Sequence, residues 1–248
     1  MRALADFATA VRLLTIVPLG TAEGTRPAPY FTWVGWLFAA LGVGIASAAF
    51  ALGLAEGTGA LLSGVIVVGA WGALSGFLHW DGLADCADAL GVRGDAARRL
   101  AVMRESGIGA FGVVAIVLVV LLQASALAAV LESGDWWAIG AAPVLGRLGA
   151  ALALMFRAPA RPDGLAARYA SRAGFGGLVA MAVPVLVLLA IGPNGTRAGI
   201  LAGGVFVAAL APGAVTRRIG GVTGDVLGAT VLATETFVLV IAAMTGGA

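Results

Sequence analysis

The chain has no lysine, one cysteine and one histidine, and only 11% of its 248 residues are charged. A soluble domain would carry charge on about a quarter of its residues, so this scarcity excludes an ordinary soluble protein. The lone Cys86 excludes an intramolecular disulfide. It has no CxxC or Cys/His partner, which argues against a thiolate metal site. The formal net charge of +2 is too small to point to nucleic-acid binding. The N-terminal "MRALADFATAVRLLTIVPLG" lacks the apolar core and small-residue cleavage site of a signal peptide.

What the chain has instead is apolar surface. Hydrophobic residues make up 60% of it, and there are 38 glycines, a residue that membrane helices use for close packing. A bilayer crossing takes about 20 apolar residues. Charge-poor runs of that length cover 31–55, 57–78, 107–131, 136–156, 174–196, 198–216 and 226–245. The expected fold is therefore an all-α integral membrane protein: one domain, a polytopic bundle of about seven transmembrane helices. The close pairs joined at Glu56 and Arg197 read as hairpins or re-entrant segments, and no internal repeat is evident. Residues 1–30 read as an interfacial segment whose amphipathic helix gathers Leu4, Phe7, Val11 and Leu14 on one face, with Asp6 and Arg12 off it.

Arginine sets the orientation. The connections 79–106, 157–173 and 217–225, with the N-terminal segment, hold nearly all of the basic residues outside the spans, whereas the alternate connections hold Arg197 alone. With seven spans the arginine-rich connections share one side, which the positive-inside rule assigns to the cytoplasm. The polar motifs lie in these same connections. A transporter more often sets its polar groups near the bilayer midplane, so a site for a charged cytosolic substrate is the better expectation.

The stretch "HWDGLADCADALG", from His79 to Gly91, follows an uncharged run and brings in Asp81, Asp85 and Asp88. On a helix these positions, i, i+4 and i+7, fall within a stripe of about 60°. Three carboxylates on one stripe repel one another. They are either a solvated helix start favoured by the helix dipole, or ligands of a divalent cation. All-oxygen donors select Mg²⁺ or Mn²⁺ over zinc, and Mg²⁺ commonly bridges carboxylates to substrate phosphates. His79 is either a general base or an anchor at the membrane surface. Asp95 reads as the N-cap of a helix beginning "AARRL", and Cys86 as packing.

Two glycine-acid motifs share that side. In "MRESGIGAFG" (103–112), Arg104, Glu105 and Ser106 precede Gly107, Gly109 and Gly112, whose backbone N–H groups suit a phosphate at a helix start. In "RRIGGVTGDVLGA" (217–229), Gly220, Gly221 and Gly224 allow close backbone approach, Thr223 and Asp225 supply oxygens, and Asp225 is a further metal candidate. Arg217 and Arg218 are phosphate contacts or membrane anchors. Within the spans stand Arg147 and Glu235, which are costly there unless they pair or face a polar cavity; Glu235 is kept as a candidate site residue.

Together these residues resemble the adenosylcobinamide-GDP ribazoletransferase (cobalamin-5′-phosphate synthase) family. Its "H-x-DGLAD-x-x-D" is similar to His79–Asp88, its "M-[KR]-[DE]-S-x-[IL]-G-[AT]-FG" to Met103–Gly112, and its "GG-x-TGD-x-LGA" to Gly220–Ala229. "TIVPLG" and "YFTWVG" also resemble it, so the likeness runs in order over most of the chain. The departures are Ala89 for a glycine, Glu105-Ser106-Gly107 for Asp-Ser-Arg, and Leu232 for a second acid in the last helix.

The resemblance implies attack of a ribose hydroxyl of α-ribazole, or of its 5′-phosphate, on adenosylcobinamide-GDP with release of GMP. It further implies Mg²⁺ held by Asp81, Asp85, Asp88 and Asp225, catalytic roles for His79, Asp81 and Asp85, and substrate contacts from Arg104, Glu105, Ser106, Gly109, Gly221, Thr223 and Gly224. The setting it implies is the bacterial inner membrane, near other corrinoid-pathway proteins. Two rivals remain in view. A CDP-alcohol phosphotransferase fits poorly, because Leu78 stands at the first Asp of its signature and the downstream acid pair is missing. A transporter would depend on Arg147 and Glu235 rather than on the loop aspartates.

Overall fold

The computed structural model describes residues 2–21, 23–105, 107–170, 173–191 and 194–246. Among them the helices are α1 (Arg2–Leu14), α2 (Phe31–Ala51), α3 (Gly57–Leu74), α4 (Leu78–Gly91), α5 (Ala96–Val102), α6 (Ala110–Ser133), α7 (Trp137–Phe156), α8 (Leu165–Tyr169), α9 (Phe175–Ile191), α10 (Gly195–Ile219) and α11 (Gly224–Met244). Six of them, α2 (with the turn ahead of it), α3, α6, α7, α10 and α11, are long and apolar enough to cross a membrane, and α9 is a shorter apolar helix of 17 residues. About 17 residues is the lower limit for a crossing, so all seven expected segments are present as apolar helices.

Boundaries moved where the backbone dictated it. The second segment stops at Leu74 rather than 78, because Gly76 and Phe77 take left-handed conformations (φ 60° and 58°) and turn the chain into α4. Such a conformation costs a non-glycine residue about 1–2 kcal/mol. Phe77 is compensated by its ring, which packs on Gly72, where a Cβ would stand 2.6 Å from the ring edge. The connection at 79–106 is thus largely helical, formed by α4 and α5, and α10 runs on to Ile219, placing Arg217 and Arg218 in its last turn. Cations are favoured at that end of a helix.

α7 and α11 form the centre. Their central windows are 83% and 72% buried, against 28–39% for α2, α3, α6 and α10, which turn the rest of their apolar surface outward. Arg147 on α7 forms an ion pair with Glu235 on α11 in this interior, and its guanidinium lies 3.7 Å from the centre of the Phe38 ring. Nearby, Gln123 donates to Thr236 at 3.0 Å. The two intramembrane charges therefore pair with each other, which is what makes such residues tolerable in a membrane.

The bundle ends differ. At one end Arg197 pairs with Asp135 at 2.7 Å, and Glu132 accepts the Gly57 N–H at 2.8 Å. At the other end lie α1, α4, α5, α8 and the polar motifs. There α1 buries Ala8, Val11 and Leu14, while Leu4 stays exposed although it shares their stripe. The segment after α1 folds back on it, with Gly24 N–H donating to Thr9 Oγ1 and Arg26 N–H to Asp6 Oδ1. Pro159 and Val222 pair as an isolated bridge, tying the α7–α8 connection to the entry of α11.

Candidate active site

α4 presents its acids as the spacing requires. Gly82, Ala84, Cys86 and Ala89 are buried, Asp81 is exposed, and Asp85 and Asp88 are half-buried. Asp95 N-caps α5, accepting the Arg98 N–H at 2.9 Å. Cys86 packs with Ala89, Met103, Ile219 and Val226, and burial pushes its thiol well above the usual range, so it is inert.

The three aspartates do different things. Asp88 accepts the Gly109 N–H on Oδ2 (2.7 Å) and the Gly112 N–H on Oδ1 (2.9 Å). It thus covers orphan donors at the start of α6, which every helix N-terminus leaves open. The glycines are explained by this contact, since a Cβ on Gly109 would stand 2.4 Å from Oδ1, and one on Gly112 2.6 Å from Oδ2. The N–H of Gly109, expected to face a phosphate, is therefore taken by Asp88. A carboxylate offers about four lone pairs, so two N–H bonds do not exhaust Asp88 as a ligand.

Asp81 and Asp85 instead line a hollow of about 380 Å³ with Ala84, Glu105, Gly107 and Ile108. Burial, then the charges of Asp225, Asp81 and Asp88, push the Asp85 carboxyl up to about 6. Four carboxylates from two helices therefore act on one another at this end of the bundle. Among the described residues, no three His, Cys, Asp or Glu side chains stand close enough to hold one ion by themselves. A hard cation here would be shared between one or two carboxylates and substrate phosphates, the usual habit of Mg²⁺.

Asp225 reaches the group because α4 and α11 cross backbone to backbone. A Cβ on Gly82 would lie 2.7 Å from the Asp225 carbonyl oxygen, and one on Gly228 3.0 Å from the His79 Cα. Thr223 N-caps α11 by accepting the Val226 N–H, and its hydroxyl donates to Asp225 Oδ2 at 3.1 Å. Gly221 packs on the 158–160 backbone, where Val222 and Ala160 exchange hydrogen bonds with Ala158 and Val222. Gly224 is exposed, with open space where a Cβ would be.

On the far side of this crossing is a second cavity, of about 320 Å³, in which His79, Arg161, Thr223 and Asp225 meet Phe31, Leu227 and Val231. His79 is 4% exposed and neither ring nitrogen has a partner. Burial, then the positive charge of Arg147, hold its imidazole well below the usual pKa, so it is neutral at neutral pH. Its other neighbours, Ser75, Gln123, Arg147 and Glu235, form the buried polar cluster of the bundle.

Of the other expected site residues, Glu105 shares the hollow with Asp81 and Asp85. Arg104 and Glu105 are exposed, and Glu105 pairs with Arg98 at 3.4 Å; Ser106 lies outside the described residues. Glu235 faces Arg147, about 15 Å along α11 from Asp225 at 1.5 Å per residue. Sequence reasoning missed Arg161, one of several arginines in its connection, as a cavity residue. Only the bridge at Pro159 brings it to the cavity, and no local pattern announces that pairing.

The fold and site define a class: a polytopic helical membrane protein with carboxylates of two crossing helices gathered at one end, between an open acidic hollow and a mostly apolar cavity. The chain belongs to the cobalamin-5-phosphate synthase family, whose profile matches residues 6–243. It is 43% identical over 194 residues to the adenosylcobinamide-GDP ribazoletransferase of Stutzerimonas stutzeri strain A1501, covering 75% of this chain and 76% of that protein. It is 36% identical to the protein of the same name from Bradyrhizobium diazoefficiens, over 97% of this chain and 94% of the relative. Identity is also 36% to that of Pseudomonas aeruginosa PAO1, over 98% and 99% of the two chains. No solved structure matches the chain.

Proposed function

We propose that this protein is an Mg²⁺-dependent adenosylcobinamide-GDP ribazoletransferase acting at the cytoplasmic face of the bacterial inner membrane. The observation that carries the reading is that Asp81 and Asp85 of α4 line an open hollow, with the charges of Asp88 and of Asp225 on α11 acting on Asp85. Clustered carboxylates repel a bare diphosphate and accept one that comes with a divalent cation. Asp81 and Asp85 are the proposed ligands, with Asp225 and the remaining lone pairs of Asp88 alongside. Bound Mg²⁺ would neutralise the charge that builds on the departing phosphate.

The chain's own groups supply the rest. In the reaction a ribose hydroxyl oxygen of α-ribazole, or of its 5′-phosphate, forms a bond to the phosphorus nearer the corrinoid. The P–O bond to GMP breaks, and GMP leaves with the bonding pair. The hydroxyl proton passes to His79, which is neutral and unpartnered at the cavity wall, or to one of the aspartates. Thr223 holds Asp225 in place through its hydroxyl. The cytoplasmic orientation rests on the arginines gathered at the site's end of the bundle, against Arg197, paired with Asp135, at the other.

The test uses purified protein in detergent or lipid, supplied with adenosylcobinamide-GDP, α-ribazole and Mg²⁺, with GMP and the cobamide product followed by mass. Mg²⁺-dependent release is expected from the wild type and is expected to vanish in Asp81→Asn and Asp85→Asn, with helix content unchanged. Near-normal release from those variants would remove the metal site. No product from folded wild-type protein would remove the transferase reading.

A further inference from the structure

The cavity beside the α4–α11 crossing has a chemistry unlike that of the acidic hollow. Its walls are mainly apolar: Leu14 of α1, Phe31 of α2, Leu78 of α4, and Leu227 and Val231 of α11. At about 320 Å³ it lies at the lower end of small-molecule pockets, which run from about 300 to 1,000 Å³. That space suits a nucleoside and is too small for a corrinoid macrocycle. Its wall also carries the polar residues His79, Arg161, Thr223 and Asp225, to which an acyl chain would offer no partner.

We propose that this cavity seats the aromatic base of the acceptor nucleoside, leaving its ribose at the polar end by His79, Thr223 and Asp225. The proposal rests on the transferase reading and adds to it which substrate enters from which side. The donor's diphosphate occupies the acidic hollow, the acceptor comes from behind the crossing, and the two meet across Asp225. A guanine base fits the cavity less well. Its edge carries several donors and acceptors, and the apolar wall offers them nothing, whereas an alkylated benzimidazole loses little there.

The test fills the cavity from its rim. Gly164 lines it at ordinary backbone angles (φ −85°), and the nearest atom to an added Cβ is 3.9 Å away, so Gly164→Phe leaves the fold free to form. Leu165→Trp, also on the rim, is the second variant should the first fail to fold. Equilibrium binding of α-ribazole and, separately, of GMP is measured by titration calorimetry, and KM for both substrates is measured in turnover. The expected result is at least a tenfold loss of α-ribazole affinity and a matching rise in its KM. GMP affinity and KM for adenosylcobinamide-GDP should stay within twofold. The proposal is overturned if α-ribazole binding is unchanged, if GMP binding is lost in its place, or if the wild type turns over without saturable α-ribazole binding. Failure of the wild type to release GMP condemns the transferase reading instead, and the binding arm still reports on the cavity.

Discussion

Removing the carboxylate of Asp88 separates two roles that the acidic stripe leaves merged. Its oxygens accept the Gly109 and Gly112 N–H groups at 2.7 and 2.9 Å. Hydrogen bonds to a charged group are worth about 1.5–3 kcal/mol each. Because Asp88 is half-buried, the lower figure applies to both, and Asp88→Ala costs about 3 kcal/mol. A chain of this size loses about 2–4 °C of unfolding midpoint per kcal/mol, so the midpoint should fall by about 6–12 °C. Thermal unfolding in detergent, without divalent cation, measures this directly. Asp88→Asn keeps one acceptor oxygen and turns a donor toward the other N–H, so its midpoint should fall between the two. Asp81→Asn, on the exposed side of α4, removes one of the charges that raise Asp85, so it should not lower the midpoint while it removes activity. If Asp88→Ala unfolds at the wild-type temperature yet no longer binds Mg²⁺, the anchoring argument is refuted and Asp88 is a ligand only.

Asp85 gives a pH dependence with a definite sign. Its carboxyl sits at about 6 in the folded protein against 3.8 for a freely solvated aspartate, so its contribution favours the folded state below pH 4 and is lost as pH rises through 6. Without metal, the midpoints of wild type and Asp85→Asn should agree near pH 4, and the wild type should fall below the variant by pH 7. Mg²⁺ affinity, titrated in parallel, should be flat above about pH 7 and fall below pH 6 as the proton competes. Arg147→Met alone leaves Glu235 buried and unpaired and should cost about 3–5 kcal/mol, while Arg147→Met with Glu235→Leu should recover most of it, again by thermal unfolding. Gly82→Ala puts a methyl 2.7 Å from the Asp225 carbonyl oxygen. It should cost about 1–3 kcal/mol and abolish GMP release with helix content intact by circular dichroism.

Composition and periodicity carried far here because a membrane leaves the backbone so few choices. Seven apolar runs became seven apolar helices, and the i, i+4, i+7 spacing of Asp81, Asp85 and Asp88 became one face of α4. Ends set by left-handed backbone were harder to read, since nothing in Phe77 itself announces a turn. The glycine motifs were legible as requirements for close approach but not as to what approaches. A glycine before a helix serves a phosphate or a carboxylate from another helix equally well, and only the fold shows that Asp88 fills the place at Gly109 and Gly112. Arg147 and Glu235 stand 88 positions apart and were legible only as two costs; the packing of α7 on α11 turns them into one pair.

The acids divide by what already satisfies them. Asp88 has two backbone N–H groups, Asp225 has the Thr223 hydroxyl, and Asp95 has the first turn of α5. Glu235 has Arg147, and Glu105 has Arg98. Asp85 has burial and three like charges around it, and these raise its carboxyl rather than settle it. At the hollow, Asp81 and Asp85 thus carry negative charge that no hydrogen bond or ion pair among the described residues offsets, with Asp225 brought near Asp85 by the Gly82 crossing. Like charges kept that close oppose folding. The glycines at 82 and 228 let the acidic helix approach the entry of α11, and that approach is what sets the Asp225 charge against Asp85.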